Sequence, residues 1–150
     1  MENAIIIEPV TIITTEIQEA IKQLTPKIGN NYKPLNDEDI VEMVASPNTT
    51  ILLARIDQKI VGMITLLVYR IPYVKKAYLD DLVIDEAYRG KGIAKQLMQK
   101  ATDLAKEKGA SYIDLTARPR REEGNSLYEK IGFKKRDTNV YRLIFDYDEV

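Results

Sequence analysis

The stretch from Lys76 to Lys108 constrains the fold more than any other. A strand ending in Leu82-Val83-Ile84-Asp85 runs through Glu86-Ala87-Tyr88 and Arg89-Gly90-Lys91-Gly92 into a long amphipathic helix. That helix is legible from Ile93, Ala94, Leu97, Met98, Ala101, Leu104 and Ala105, which recur at the helical period, and Gly109 terminates it. The first backbone N–H groups of a helix lack internal partners, and the helix dipole adds positive potential there. Two glycines let an anion approach with no side chain in the way, and Arg89 or Lys91 adds formal charge. Spacing alone leaves two readings: an ordinary strand-to-helix turn, or a diphosphate site. The Gly-Lys-Ser/Thr ending of a P-loop is absent. The dinucleotide fingerprint is also absent, because its third glycine is missing and the strands before it form hairpins.

The rest of the chain organises around this junction. Residues 4–8 read as a short β-branched strand, and residues 14–25 as a helix with Ile17, Ala20, Ile21 and Leu24 on one face. Residues 27–35 read as a loop by their Gly, Asn and Pro content. Asn36 is placed to cap a helix that opens on Asp37-Glu38-Asp39, buries Ile40, Met43 and Val44, and ends at Ser46-Pro47. Thr50–Ile56 and Ile60–Arg70 then read as strands joined by the tight turn Asp57-Gln58-Lys59, followed by the strand from Lys76. Beyond the long helix come a strand over Ser111–Ala117 and a helix over Glu122–Ile131. Final strands follow over Phe133–Arg136 and Val140–Tyr147, with a hairpin over Thr138–Arg142. Strands and helices interleave without strict alternation. The expectation is a single domain of mixed α/β class, with a mixed sheet covered by helices on both faces.

Composition narrows the chemistry. The chain has 150 residues, 45% hydrophobic and 30% charged, the proportions of one globular domain. A net charge of −1 argues against a nucleic-acid surface. There is no cysteine and no histidine, which excludes disulfides, thiolate nucleophiles, zinc–sulfur sites and the commonest general base. Acid–base work falls to carboxylates, Tyr, Lys or water. Ile64–Tyr69 is the longest apolar run and is interrupted by Thr65, far short of the ~20 residues of a membrane span. Met1-Glu2-Asn3-Ala4 lacks a signal-peptide start, so no membrane and a cytoplasmic location are expected.

Val83 through Ala94 resembles the core motif of the GCN5-related N-acetyltransferases (GNAT), Gln/Arg-x-x-Gly-x-Gly/Ala. Arg89, Gly92 and Ala94 fill its defined positions, and Glu86 stands where the family often has proline. Downstream, Leu127-Tyr128-Glu129-Lys130-Ile131-Gly132-Phe133 is close to the family's Leu-Tyr-Glu-Lys-Leu-Gly-Phe. The resemblance spans roughly residues 48–145. It implies a mostly antiparallel sheet that splays at a bulge in the strand before the loop. It further implies acetyl-CoA as cosubstrate and transfer of its acetyl group to an amine by direct attack.

Carried over residue by residue, the resemblance places the backbone of Leu82, Val83 and Ile84 against the pantetheine arm and acetyl oxygen. It places the amides of Arg89, Gly90, Lys91, Gly92, Ile93 and Ala94 on the pyrophosphate. Asn125, one turn before Tyr128, is expected to touch the pantetheine. Tyr128 is expected near the sulfur, where a phenol can protonate the departing thiolate, with packing in the core as the other reading. Asp80 and Asp81 precede the coenzyme strand. One of them binds the cationic amine or deprotonates it through water, or else local lysines such as Lys75 and Lys76 satisfy both. By strand parity Asp80 shares a face with Leu82 and Ile84. Arg118, Arg120 and Arg121 read as a solvated charge run that could also meet the 3′-phosphate. No metal is expected, for want of a ligand cluster.

A small-molecule or peptide amine is thus the expected partner, and a homodimer stays open. Tyr32, Lys33, Asp37, Glu38 and Asp39 lie where the family shapes its acceptor site and hint at a cationic amine. The competing reading is a non-catalytic acyl-CoA sensor or regulatory module. A nucleotide-binding module lacks the P-loop lysine and a magnesium ligand set.

Overall fold

A computed structural model describes residues 4–29 and 33–146. Strands β1 (Ile5–Pro9), β2 (Thr49–Ile56), β3 (Lys59–Arg70), β4 (Lys75–Ile84) and β5 (Ile113–Asp114) form one sheet in that order. All pairs are antiparallel except β4–β5, which is parallel. Helices α1 (Thr15–Leu24) and α2 (Asp37–Ala45) cover one face, and α3 (Ile93–Glu107) and α4 (Glu122–Ile131) the other. The mixed α/β architecture is the expected one.

Local chemistry explains most boundaries. Thr14 caps α1 by accepting from Ile17 N. Asn36 and Asp39 form a reciprocal capping box on α2, with bonds of 2.8 and 3.0 Å. Asp57 and Gln58 both take positive φ, 49° and 68°, which suits the two-residue turn joining β2 to β3. Gly109, with φ of 86°, ends the α3 region, and Ala110 N reaches back to Ala105 O.

The core has two layers. Leu52, Ile64, Leu66 and Leu79 pack under Ile93, Leu97, Met98 and Ala101 of α3. Leu53, Met63 and Val83 pack against Ile17, Ile21 and Leu24 of α1 and Ile40 of α2. Side-chain alternation along the strands feeds both layers from one sheet.

Two expectations fail at the C-terminal end. The strand over Ser111–Ala117 contracts to Ile113–Asp114, and residues 133–146 contain no strand. Tyr147 lies outside the described residues. Val140, Tyr141, Leu143 and Phe145 are 71%, 88%, 79% and 92% exposed. Alternating apolar residues make a strand only where a neighbour accepts their backbone bonds, and two-residue β5 offers little edge.

Candidate active site

The site forms where β4 and β5 part. Their pairing covers only Ala77–Ile113 and Tyr78–Asp114. Beyond Tyr78 the β5-facing edge of β4 has no strand partner among the described residues. A cleft of about 50 Å³ opens there, lined by Asp80, Asp81, Leu82, Leu115, Thr116 and Tyr128, with Ile64, Leu79 and Met98 at its base. A wider hollow of about 410 Å³ lies along Glu122, Glu123, Ser126, Leu127 and Lys130 of α4. It contains none of the expected site residues, so the chemistry points to the smaller cleft.

A β-bulge shapes the cleft wall. Met63 pairs with Val83 and Thr65 with Asp80, so Ile64 alone faces both Asp81 and Leu82. Asp81 takes φ of 55° within this bulge. The extra residue overturns the parity expected for Asp80. Leu82 and Ile84 share the α3-side face with Ala77 and Leu79, while Asp80 pairs with Thr65 on the opposite alternation.

Both carboxylates still reach solvent. Burial raises the pKa of Asp80, and the neighbouring Asp81 charge raises it further. Burial alone raises Asp81. Neither makes a hydrogen bond or ion pair among the described residues. The alternative reading, neutralisation by local lysines, is not what the structure shows: Lys76 Nζ instead lies 5.6 Å from the Tyr69 ring centroid.

Tyr128 closes the cleft from α4. It stacks edge-on to Phe133 at 6.3 Å, and its backbone carbonyl accepts from Gly132 and Phe133 at the helix end. Its hydroxyl has no hydrogen-bond partner among the described residues. Burial raises its pKa, opposed by the positive charge of Arg121. The raised pKa keeps this unpaired phenol protonated at neutral pH.

The loop ahead of α3 presents backbone donors. Gly92, the α3 N-cap, takes φ of 81°, and Gly90 takes 78°. A Cβ at either position would meet nothing within 4 Å. The amides of Gly90, Lys91, Gly92, Ile93, Ala94 and Lys95 donate to no protein acceptor among the described residues. Open space before six free donors at a helix start suits a diphosphate. Asp85 and Tyr88 brace the approach: Asp85 N donates to Val61 O at 2.8 Å, and Lys59 Nζ lies 5.2 Å from the Tyr88 ring centroid.

Other expected residues are placed differently. Asn125 does not line the cleft. Its Nδ2 donates to the carbonyls of Arg118 and Arg121 at 3.0 and 2.8 Å, tying down the turn before α4, while its Oδ1 makes no bond among the described residues. Arg118, Arg120 and Arg121 are exposed. Asp37 pairs with Lys22, and Asp39 accepts from Asn36 N in the α2 cap. Lys33 pairs with Asp146, and Tyr32 lies outside the described residues.

Sequence reasoning missed Thr116, which meets Tyr78 Oη at 3.0 Å in the cleft wall. It also missed the 2.7 Å pair between Lys27 and Glu86, which joins the segment after α1 to the start of the glycine loop before α3. No local pattern marks contacts between residues so far apart.

Among the described residues no group of three or more Asp, Glu, His or Cys could hold a metal ion. No helix among them is long and apolar enough to cross a membrane.

Residues 15–133 match the acetyltransferase (GNAT) family. N-alpha-acetyltransferase 30 of Schizosaccharomyces pombe is 40% identical over 72 residues, 48% of this chain and 45% of that protein. An uncharacterized N-acetyltransferase of Mycobacterium bovis is 31% identical over 109 residues, covering 73% of this chain and 68% of its own. The match spans less than half the length of some curated relatives, including human N-acetyltransferase 8 at 37%. A ribosomal-protein-alanine N-acetyltransferase from Brucella melitensis superposes with a TM-score of 0.77, at 25% identity over 95% of this chain and 100% of that one. The aminoglycoside N-acetyltransferase AAC(6')-Iy in complex with CoA shares the fold, with a TM-score of 0.79 at 13% identity over 97% of this chain and 98% of that one. Together with the glycine loop at the start of α3 and the cleft where β4 and β5 part, the match over residues 15–133 places this chain in the GNAT acetyltransferase family.

Proposed function

We propose that this protein transfers the acetyl group of acetyl-CoA to a primary amine of a small molecule or peptide by direct attack. The observation that carries the reading is the meeting of Asp80, Asp81, Leu82 and Tyr128 in one cleft, beside a loop of unpaired amides. The related fold that holds CoA supports the choice of cosubstrate.

Each group has a role set by its chemistry. The amides of Gly90 through Ala94, with Arg89 and Lys91 alongside, take the pyrophosphate. The free edge of β4 at Leu82, Val83 and Ile84 takes the pantetheine arm and acetyl oxygen, and Asn125 offers its Oδ1 to the same arm. Asp80 and Asp81 make the acceptor side negative and attract an ammonium group. Asp80, its proton affinity raised, takes the proton the amine must lose before it attacks. The amine nitrogen then bonds to the carbonyl carbon, the carbon–sulfur bond breaks, and Tyr128 gives its proton to the departing thiolate.

Thermal melting with acetyl-CoA, followed by a screen of amines with detection of released thiol, tests this reading. A rise in Tm together with amine-dependent thiol release supports it. A rise in Tm with no thiol release across polyamines, amino sugars and peptide N-termini would instead support the non-catalytic sensor. No rise in Tm removes the coenzyme assignment altogether.

A further inference from the structure

The turn that follows α1 reaches three elements of the proposed site. It is a single 3-10 turn over Thr25–Lys27, closed by Ile28 N donating to Thr25 O at 3.0 Å. It packs against β4. On one side Lys27 Nζ donates to Glu86 Oε2 at 2.7 Å, three residues before Arg89 of the glycine loop. On the other, Ile28 O accepts from Arg121 Nη2 at 3.5 Å, where α4 begins. β4, the approach to the glycine loop and the start of α4 thus meet on the same few residues.

The two partners of the ion pair are not held alike. Glu86 opens the turn Glu86–Tyr88, which Asp85 caps by accepting from Ala87 N at 3.1 Å. Asp85 N is itself bonded to Val61 O on β3. Glu86 O accepts from Arg89 N at 3.4 Å, so whatever fixes Arg89 also fixes Glu86. Lys27 belongs to a single turn with no side-chain cap. The hydrogen bond from Lys27 holds the Glu86 carboxyl below its usual range, and the charges of Lys27 and Arg89 add to this, so Glu86 is ionised at neutral pH. An ion pair this exposed adds little to stability, and its consequence lies in where it holds the turn. Glu86 stands where the family often has proline, which could not accept this bond, so the pair belongs to this chain and not to the motif.

We propose that the Lys27–Glu86 pair couples the glycine loop to the turn after α1, making Lys27 a positioning residue: coenzyme that fixes the loop also fixes the turn beside which the accepting amine enters. The inference rests on the coenzyme reading of the glycine loop given above. The coupling works by ordering, because a loop already held by a bound diphosphate offers Lys27 a stationary partner.

Amide hydrogen exchange, with coenzyme A as the probe, is the test. In the wild type, saturating coenzyme A should slow exchange at residues 27–29 about fivefold, alongside slowing at residues 90–95. Lys27→Met keeps the apolar stem and removes the charge. It should bind coenzyme A within about threefold of wild type and keep the slowing at 90–95, while the slowing at 27–29 falls below about twofold. Glu86→Gln should behave in the same way, and the exchanged pair, Lys27→Glu with Glu86→Lys, should recover the slowing at 27–29. On the amine that releases thiol, Lys27→Met should raise the KM for the amine about fivefold, with kcat and the KM for acetyl-CoA within about twofold of wild type. No slowing at 27–29 in the wild type overturns the proposal. So does a Lys27→Met variant with the full slowing there, or one with an unchanged KM for the amine, since a merely structural pair would lower Tm and leave both readouts alone. A wild-type chain that binds no coenzyme A overturns the underlying site assignment, an outcome distinct from failure of the coupling.

Discussion

Gly62 on β3 stands opposite Ile84 on β4, and a methyl group added to it would lie 2.8 Å from Ile84 Cδ1. The same methyl would come within 3.2 Å of Val83 O and 3.4 Å of Leu97 Cδ1. The bare backbone at Gly62 therefore lets β4 and α3 close on the sheet together, and both elements carry the proposed coenzyme site. Gly62→Ala is expected to destabilise the fold by about 1–3 kcal/mol through overpacking. It should also weaken acetyl-CoA binding, because Ile84 must shift. A Tm and a dissociation constant equal to wild type would show that the neighbours absorb the methyl freely.

At Gly92 the constraint is different. A side chain there meets open space, but φ of 81° disfavours most residues, and the position faces the expected diphosphate. Asn and Asp tolerate the conformation about equally, so the pair isolates charge. Gly92→Asp is expected to abolish the acetyl-CoA-induced rise in Tm, while Gly92→Asn keeps most of it. Equal shifts in the two variants would argue that no anion binds at this helix start.

Asp80→Asn separates stability from turnover. The folded-state pKa of Asp80 is raised above 3.8, so the folded chain holds this proton more tightly than the unfolded one. Stability is then greatest below that value and falls as pH rises through the window between 3.8 and the raised pKa. Above the window the ionised carboxylate is a standing cost. Asp80→Asn should therefore raise Tm at neutral pH, with the gain vanishing in acid, while coenzyme affinity stays normal. Turnover should drop on the order of 10²–10⁴-fold if this group is the base. In the wild type the acidic limb of the rate profile should lie above the ordinary Asp range. A variant with full turnover on the identified acceptor would leave the carboxylate without a chemical role.

Tyr128→Phe keeps the ring and its edge-on contact with Phe133. Fold and acetyl-CoA affinity should be unchanged, and turnover should fall by about 10²–10⁴-fold where chemistry limits the rate. Because burial raises the phenol's pKa above 10.0, the high-pH fall in rate due to this group should come late in the wild type and disappear in the variant. Wild-type turnover in Tyr128→Phe would mean that water protonates the thiolate.

What the sequence determined by itself is what short-range physics governs. The period from Ile93 to Ala105 makes α3, the glycines at 90 and 92 open its start, and Asn36 with Asp39 begins α2. Each depends on neighbours a few residues away, so each is readable along the chain. The relation of Tyr128 to the Asp80–Leu82 strand was legible only through the family resemblance.

Tertiary structure decided everything that requires a partner across space. The bulge at Asp81 exists only in the register of β4 on β3, and that single inserted residue reverses the face expected for Asp80. The apolar alternation of residues 140–145 stayed without a strand because no edge received it. Asn125 was drawn to the carbonyls of Arg118 and Arg121, and Lys27 to Glu86, 59 residues away. Such choices turn on which groups the folded sheet and helices bring within hydrogen-bonding reach, and that distance is not written along the chain.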